Sequence, residues 1–191
     1  MTSYTYNDFG KLLTVTMPRD GTTQTRTFTY DSKQQLTSSA QPESGTTTYT
    51  YAATGGTVLT KTDAKGQKTE YTYDANVPGR VTQIDRKPNG TTIDLCQSTY
   101  FYYDTNPIVS GFSNYITGRM AASVTGDTSC TPGRIVEMYS YHPAGGVAAK
   151  RLLVTSDGTT IQDKTITYAF DSEGKVSNYT YPDGPFDRKY T

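Results

Sequence analysis

The sequence predicts an all-β protein of tandem antiparallel β-hairpins that form a curved or spiralling sheet. Three observations lead to this prediction: strand-forming residues are abundant, an aromatic-x-aromatic motif recurs along the chain, and glycine turns separate its copies. The 191 residues include 17 Tyr and 6 Phe but no Trp, and only 34% are hydrophobic. Tyr, Thr and Val suit a pleated, half-buried strand, whereas disordered chains are poor in aromatic and β-branched residues. We therefore expect ordered β-structure.

The aromatic-x-aromatic motif defines a repeat. Aromatics at positions i and i+2 place both rings on one face of a strand, with a small polar residue facing the other way. The repeat-defining aromatics are Tyr4 and Tyr6, Phe28 and Tyr30, Tyr49 and Tyr51, Tyr71 and Tyr73, Phe101 and Tyr103, Tyr139 and Tyr141, and Tyr168 and Phe170. We interpret them as sheet core rather than as a ligand-binding cluster.

A turn follows each aromatic strand. Asp accepts hydrogen bonds from its own backbone and Gly tolerates positive φ, so both suit a turn. The predicted turn residues are Asp31, Asp74, Asp104 and Asp171, directly after the second aromatic, and Gly10, Gly79, Gly118 and Gly174 shortly beyond. Asn7, Ala52 and His142 replace Asp in other repeats, and Gln34 replaces the glycine. The carboxylates recur too regularly for a catalytic pair, and the close ligand spacing of a calcium loop is missing.

A second glycine turn closes most repeats and returns the chain to the next aromatic strand. Asp-Gly and Asn-Gly pairs are the strongest short hairpin signal. These turns are Asp20-Gly21, Ser44-Gly45, Lys65-Gly66, Asn89-Gly90, Asp157-Gly158 and Asp183-Gly184. We predict a single repeat array over residues 1–191, with regular repeats 1–4 in 1–95 and irregular repeats 5–7, which carry insertions, in 96–191. A β-propeller is the rival fold, but seven repeats do not divide into whole four-stranded blades.

The pattern Tyr-x-Tyr-Asp-x-x-Gly-x-Leu followed by Asp-Gly resembles the tyrosine-aspartate (YD) or RHS repeats of bacterial RHS and toxin shells and of teneurins. The clearest copies begin at Tyr71 and Tyr168. The resemblance implies a strip of β-hairpins that winds in a spiral and, in large members, forms a hollow shell that encloses a C-terminal polypeptide in toxin systems. Seven repeats would form only an arc of such a shell. The self-cleaving core segment of the family has no match here, so autoproteolysis is not implied.

Cys96 and Cys130 flank the fifth repeat. Two cysteines in a surface-type β protein suggest a disulfide that closes the inserted segment and stabilises the fold by roughly 3–4 kcal/mol. The alternative is a pair of unrelated free thiols. A disulfide would also favour an oxidising, extracytoplasmic setting.

The sequence gives little support for catalysis, metal binding, nucleic-acid binding or membrane insertion. His142 is the only histidine, and a metal site or a catalytic triad needs further partners. The 18 basic and 18 acidic residues cancel and form no basic stripe for nucleic acid. The longest apolar stretches are too short to insert into a membrane. We predict no catalytic residue, no metal and no cofactor.

The leading functional prediction is a non-catalytic shell or scaffold segment of a large secreted or surface-displayed bacterial protein. Its partner would be the remainder of a longer parent polypeptide, because the chain opens on a strand pattern and shows no signal peptide. The alternative is an extracellular binding or adhesion module that recognises glycans or a protein partner through exposed Tyr and Thr. The absence of Trp weighs against glycan binding on a large aromatic surface. Unpaired edge strands predict weak self-association, chiefly through Ser3 to Tyr6.

Overall fold

The computed structural model describes residues 1–130, 133–156, 158–182 and 188–190, which form 15 β-strands and no helix. Two compact units make up the chain, Met1–Asp94 and Leu95–Thr191. The all-β class and the tandem antiparallel hairpins predicted from the sequence are confirmed. No helix capable of crossing a membrane occurs in the described ranges. Three predicted closing-turn residues, Asp157, Asp183 and Gly184, lie outside them.

The first unit is a meander in which each strand pairs antiparallel with the next. Its strands are β1 (Ser3–Tyr6), β2 (Leu12–Arg19), β3 (Thr22–Tyr30), β4 (Leu36–Gln41), β5 (Gly45–Tyr51), β6 (Val58–Thr62), β7 (Lys68–Tyr73) and β8 (Val81–Lys87). The odd-numbered strands end on the aromatic pairs. Between β2 and β3 the two-residue turn has φ of 46° at Asp20 and 76° at Gly21, the double positive φ that suits a tight hairpin.

The second unit continues the pattern with longer connections. Its strands are β9 (Thr99–Tyr103), β10 (Met120–Thr125), β11 (Arg134–Tyr141), β12 (Val147–Ser156), β13 (Thr159–Phe170), β14 (Val176–Tyr181) and β15 (Arg188–Tyr190). Each again pairs antiparallel with its successor. The insertion predicted in the fifth repeat is the connection 104–119 between β9 and β10.

A β-bulge recurs at the second aromatic of every repeat. Thr29 faces Ser38, but Tyr30 faces Leu36, so Thr37 is an extra residue on the neighbouring strand. The register shifts in the same way next to Tyr6, Tyr51, Tyr73, Tyr103, Tyr141 and Phe170. A bulge bends its strand and increases the local twist. Each repeat therefore bends the sheet at the same point of its pattern.

The two faces of the first unit differ in composition. Residues paired across strands lie on one face, and on the face away from the aromatics they are mostly Thr. We call this the threonine face; its exposed members on β3 and β5 are Thr23, Thr25, Thr27, Thr29, Thr46, Thr48 and Thr50. Threonine hydroxyls bond across strands, at 2.7 Å between Thr5 and Thr14 and at 2.7 Å between Thr50 and Thr60.

The most buried core of the described residues lies in the second unit. It comprises Ala122, Val124, Val136 and Met138, covered by Tyr100, Tyr102, Ile108, Val109, Phe112 and Leu153. Tyr102 faces Ala122 and Tyr100 faces Val124, so this core lies on the face opposite Phe101 and Tyr103. The repeat-defining aromatics are half-buried or exposed and lie outside this cluster. Insertion 104–119 supplies the apolar side chains that cover the other face, whereas Tyr4 and Tyr6 are 56% and 58% exposed.

Candidate functional site: the repeat turns and their tyrosines

The turn at residues 31–35 shows how the repeat closes. One oxygen of Asp31, Oδ1, accepts hydrogen bonds from the backbone N–H groups of Lys33 and Gln35, both at 2.9 Å. The Asp31 N–H donates to the Gln35 carbonyl at 3.0 Å. Aspartate thus supplies the acceptor that satisfies turn amides which no strand partner can reach.

The same bonding recurs in other turns. Asn7 accepts from Phe9 and Lys11, Asp63 from Lys65 and Gln67, and Asp171 from Glu173 and Lys175, all at 2.9–3.0 Å. Asp63 was not singled out from the sequence, because it follows an aliphatic strand rather than an aromatic pair. Its Asp-x-x-Gly spacing to Gly66 is the signal that could have identified it.

The turn glycines adopt the left-handed conformation that the bonding requires. Their φ angles are 74° at Gly10, 78° at Gly79, 73° at Gly118 and 78° at Gly174. Gln34 takes the glycine position of its own turn with φ of 62°. Such a conformation is costly for a residue with a Cβ; the Gln34 side chain gains a hydrogen bond from Asn7 Nδ2 at 2.8 Å.

Two aspartates close longer turns. Asp74 Oδ1 accepts from the backbone of Asn76 and Val77, and Oδ2 accepts from Arg80 Nε at 2.9 Å. Hydrogen bonds from Arg80, and then from Asn76, hold the pKa of Asp74 below its usual value. Asp104 accepts from the N–H of Gly118, 14 residues along the chain, so the turn closes across the inserted segment.

The second tyrosine of a repeat joins that repeat to the one before it. Its hydroxyl donates to the carbonyl of the first residue of the preceding aliphatic strand. The bonds are Tyr30 to Leu12 at 3.0 Å, Tyr51 to Leu36 at 2.8 Å, Tyr73 to Val58 at 2.7 Å and Tyr141 to Met120 at 2.8 Å. We call these the tyrosine bonds. Burial raises the pKa of Tyr51, Tyr73 and Tyr141.

Phe170 holds the same position in the seventh repeat but has no hydroxyl. Its ring stacks on His142 instead, with centroids 4.8 Å apart and planes inclined by 30°. His142 occupies the aspartate position of the preceding turn, where its Nδ1 accepts from the Ala144 N–H at 3.2 Å. The two departures from the pattern are therefore in contact.

The first aromatics of the repeats are spread along the sheet rather than gathered. Each of Tyr4, Phe28, Tyr49, Tyr71, Phe101, Tyr139 and Tyr168 lies on its own strand. Tyr168 contacts Tyr179 on β14, with centroids 6.3 Å apart, and Tyr139 donates to Glu137 at 3.2 Å. Within the described residues, no three His, Cys, Asp or Glu side chains group closely enough to hold a metal ion.

Cys96 and Cys130 form a disulfide, as the sequence predicts, with their Cα atoms 5.3 Å apart. The Cys130 side chain is buried, and the Gly126 N–H donates to the Ser98 carbonyl at 3.0 Å beside it. The disulfide therefore fixes the loop after β10 to the segment before β9.

Tandem hairpins closed by carboxylate turns and joined by tyrosine bonds define a β-hairpin repeat protein. Residues 53–92 match the family model described as RHS Repeat. This match covers the part of the chain that contains β6, β7 and β8, and the matched family is the one that the sequence resembles.

Solved structures show the same fold. The chain is similar to the crystal structure of TcdB2-TccC3, with 14% identity and a TM-score of 0.58 over 96% of its length. It is also similar to a Photorhabdus luminescens Tc holotoxin pore, with 12% identity and a TM-score of 0.60 over 98%. In both cases it spans 11% of the other chain. Comparison with curated protein sequences finds no match.

Proposed function

We propose that this chain is a non-catalytic segment of a shell wall within a large secreted or surface-displayed bacterial YD/RHS-repeat protein. The tyrosine bonds carry the proposal. The hydroxyls of four tyrosines each bond to a backbone carbonyl of the repeat before their own; these tyrosines are Tyr30, Tyr51, Tyr73 and Tyr141. Their hydrogen-bonding capacity serves to join repeats, which is the task of a scaffold rather than of a reacting site.

The similar structures support a longer parent. The chain covers nearly its whole length in them but only 11% of theirs, so the remainder of a longer polypeptide is its proposed partner. The disulfide between Cys96 and Cys130 supports an oxidising setting outside the cytoplasm.

Electron cryomicroscopy of the full parent polypeptide tests the proposal. We expect a hollow shell in which residues 1–191 form a continuous section of wall, with β2 to β7 hydrogen-bonded as described above. A parent in which this segment folds apart from any shell would contradict the proposal.

A second candidate is an extracellular binding module that recognises neutral glycans. The threonine face favours it, because its members on β3 and β5 present exposed, uncharged hydroxyl and methyl groups. A glycan array probed with the chain tests this function, with a Thr25→Lys/Thr48→Lys variant as the control. Binding that the variant loses would support the module, and absence of any binding would leave the scaffold proposal alone.

A further inference from the structure

The sixth repeat turn, residues 142–146, is closed by an imidazole rather than by a carboxylate. In the turns at 31–35, 63–67 and 171–175 an aspartate oxygen accepts the backbone N–H groups. His142, the only histidine of the chain, takes that place. Its side-chain Nδ1 accepts from the Ala144 backbone N–H at 3.2 Å, and the backbone N–H of His142 donates to the Gly146 carbonyl at 2.7 Å.

An imidazole nitrogen accepts a hydrogen bond only while it is unprotonated. Protonation places a hydrogen on Nδ1 and leaves two N–H groups facing each other, so the bond to Ala144 is lost. A carboxylate oxygen still accepts hydrogen bonds at the pH values at which an imidazole becomes protonated. Imidazoles change charge between about pH 5 and 8, whereas aspartates titrate near pH 4.

Close packing limits the ways in which this turn can adjust. The Phe170 ring stacks on the imidazole, and a Cβ added at Gly146 would lie 2.7 Å from two ring carbons of Phe170. The imidazolium therefore has little room to shift while the stack persists.

The charged groups around the turn come from two neighbouring segments. On one side the Arg119 guanidinium lies over the Tyr141 ring at 5.1 Å, and its Nη2 would lie 3.4 Å from a Cβ at Gly145. On the other side, the turn 171–175 meets Ala144 through Gly174. That turn carries Asp171, whose Oδ1 accepts two backbone N–H groups, and Glu173, which pairs with Lys175 at 2.7 Å.

We propose that the sixth repeat turn is a pH-sensitive joint, closed when His142 is neutral and opened when it is protonated. Mild acidification then loosens the connection between β11 and β12, while the aspartate turns stay closed.

Amide hydrogen exchange measured by NMR at pH 7.5 and pH 5.5, corrected for the intrinsic rates, tests this joint. We expect the protection of the Ala144 amide to fall about fivefold, the equivalent of one ordinary hydrogen bond. The Lys65 amide, held by Asp63, should keep its protection and serves as the internal reference. A His142→Asp variant restores the residue type of the other turns and should remove the pH dependence.

Two results would overturn the proposal. One is an Ala144 amide whose protection is the same at both pH values in the unmodified chain. The other is a His142→Asp variant that shows the same fall as the unmodified chain. Protection at Lys65 and Glu173 reports whether the variant has folded, and a His142→Asn variant repeats the test should the aspartate prove unfavourable beside Phe170.

Discussion

At the scale of single residues, the tyrosine bonds distinguish aromatics that look alike in the sequence. Tyr71 and Tyr73 lie on the same strand, yet only the Tyr73 hydroxyl donates to a backbone carbonyl, that of Val58 at 2.7 Å. Removing the hydroxyl of Tyr73 leaves that carbonyl without its side-chain partner, whereas the Tyr71 hydroxyl makes no such bond among the described residues.

We therefore expect Tyr73→Phe to lower the free energy of unfolding by about 0.5–1.5 kcal/mol, the range of one ordinary hydrogen bond. Tyr71→Phe, which keeps the same ring on the same strand, is the control and should change it much less. Urea denaturation followed by circular dichroism measures both. Equal losses in the two variants would show that the bond to Val58 contributes nothing specific.

Alkaline pH should weaken the same bonds. The pKa values of Tyr51, Tyr73 and Tyr141 lie above the ordinary 10.0, chiefly because the hydroxyls are buried. A pKa that is higher in the folded state gives stability that is present below about pH 10 and lost as the pH rises through the raised value. We expect the free energy of unfolding to fall between pH 9 and 11.5.

The matched comparison is a variant with Tyr51→Phe, Tyr73→Phe and Tyr141→Phe together. Its alkaline loss should be smaller than that of the unmodified chain, because those three hydroxyls no longer ionise. Urea titrations at half-unit pH steps measure the difference. An identical alkaline loss in both proteins would place the effect in other tyrosines.

Sequence reasoning located residues better than it located their partners. The i, i+2 spacing identified Tyr30 and Tyr73 as strand aromatics, but their acceptors depend on strand register, which the bulges shift by one residue. Asp63 was not identified as a turn acceptor because its turn follows an aliphatic strand. That turn lies at the opposite end of the hairpins from the turns that follow the aromatic pairs.

At the scale of elements, the disulfide holds the least regular part of the second unit. It joins residues separated by 34 positions and encloses β9, the insertion 104–119 and β10. A Cys96→Ala/Cys130→Ala variant should therefore lose roughly 3–4 kcal/mol of stability through restored chain entropy.

Hydrogen exchange resolved by mass spectrometry is the measurement, because it reports on each unit. The loss should fall on β9 to β11, while β2 to β5, which contain no cysteine, stay unchanged. Chemical reduction of the unmodified chain should reproduce the effect. Unchanged exchange across β9 and β10 would count against a stabilising disulfide, and an intact mass two hydrogens below that of the reduced chain would verify the bond itself.

How the insertion packs against the sheet could not be predicted from the sequence. Ile108, Val109 and Phe112 follow no strand or helix periodicity, so nothing local predicts that they cover Ala122 and Met138. The bulges were missed because each results from how a turn meets two strands, and no single residue type marks them. Asp104 and Gly118, by contrast, were recognised as turn residues, and a hydrogen bond joins them despite their separation.

At the scale of the whole molecule, the repeat pattern predicted the fold class, because a period of strand, turn, strand and turn admits few architectures. It also leads us to expect an outer strand with unpaired backbone groups. Strand β1 pairs with β2 on one side, and its residues Ser3 to Tyr6 are exposed and uncharged. Such an edge can pair with another chain.

We expect the 191-residue chain to self-associate weakly through β1, and a Thr5→Lys variant to reduce that association by placing charge on the edge. Thr25→Lys is the matched control, because Thr25 lies on the same face but on β3, which has partners on both sides. Light scattering over a concentration series measures the molar mass. A chain that remains a monomer at high concentration would show that this edge does not pair.

The hydrogen bond from Gly118 to Asp104 also has a practical meaning for protein engineering. A carboxylate at the start of a turn that bonds to the end of the turn holds the two flanking strands together. The number of residues between those two points can then vary without changing how the strands pair. Residues 105–117 can therefore extend from the hairpin and cover the neighbouring core while β9 and β10 remain paired. The exposed turn at Asp171, which is closed by the same kind of bond over a shorter span, is accordingly a place where a foreign peptide could be displayed without disturbing the scaffold.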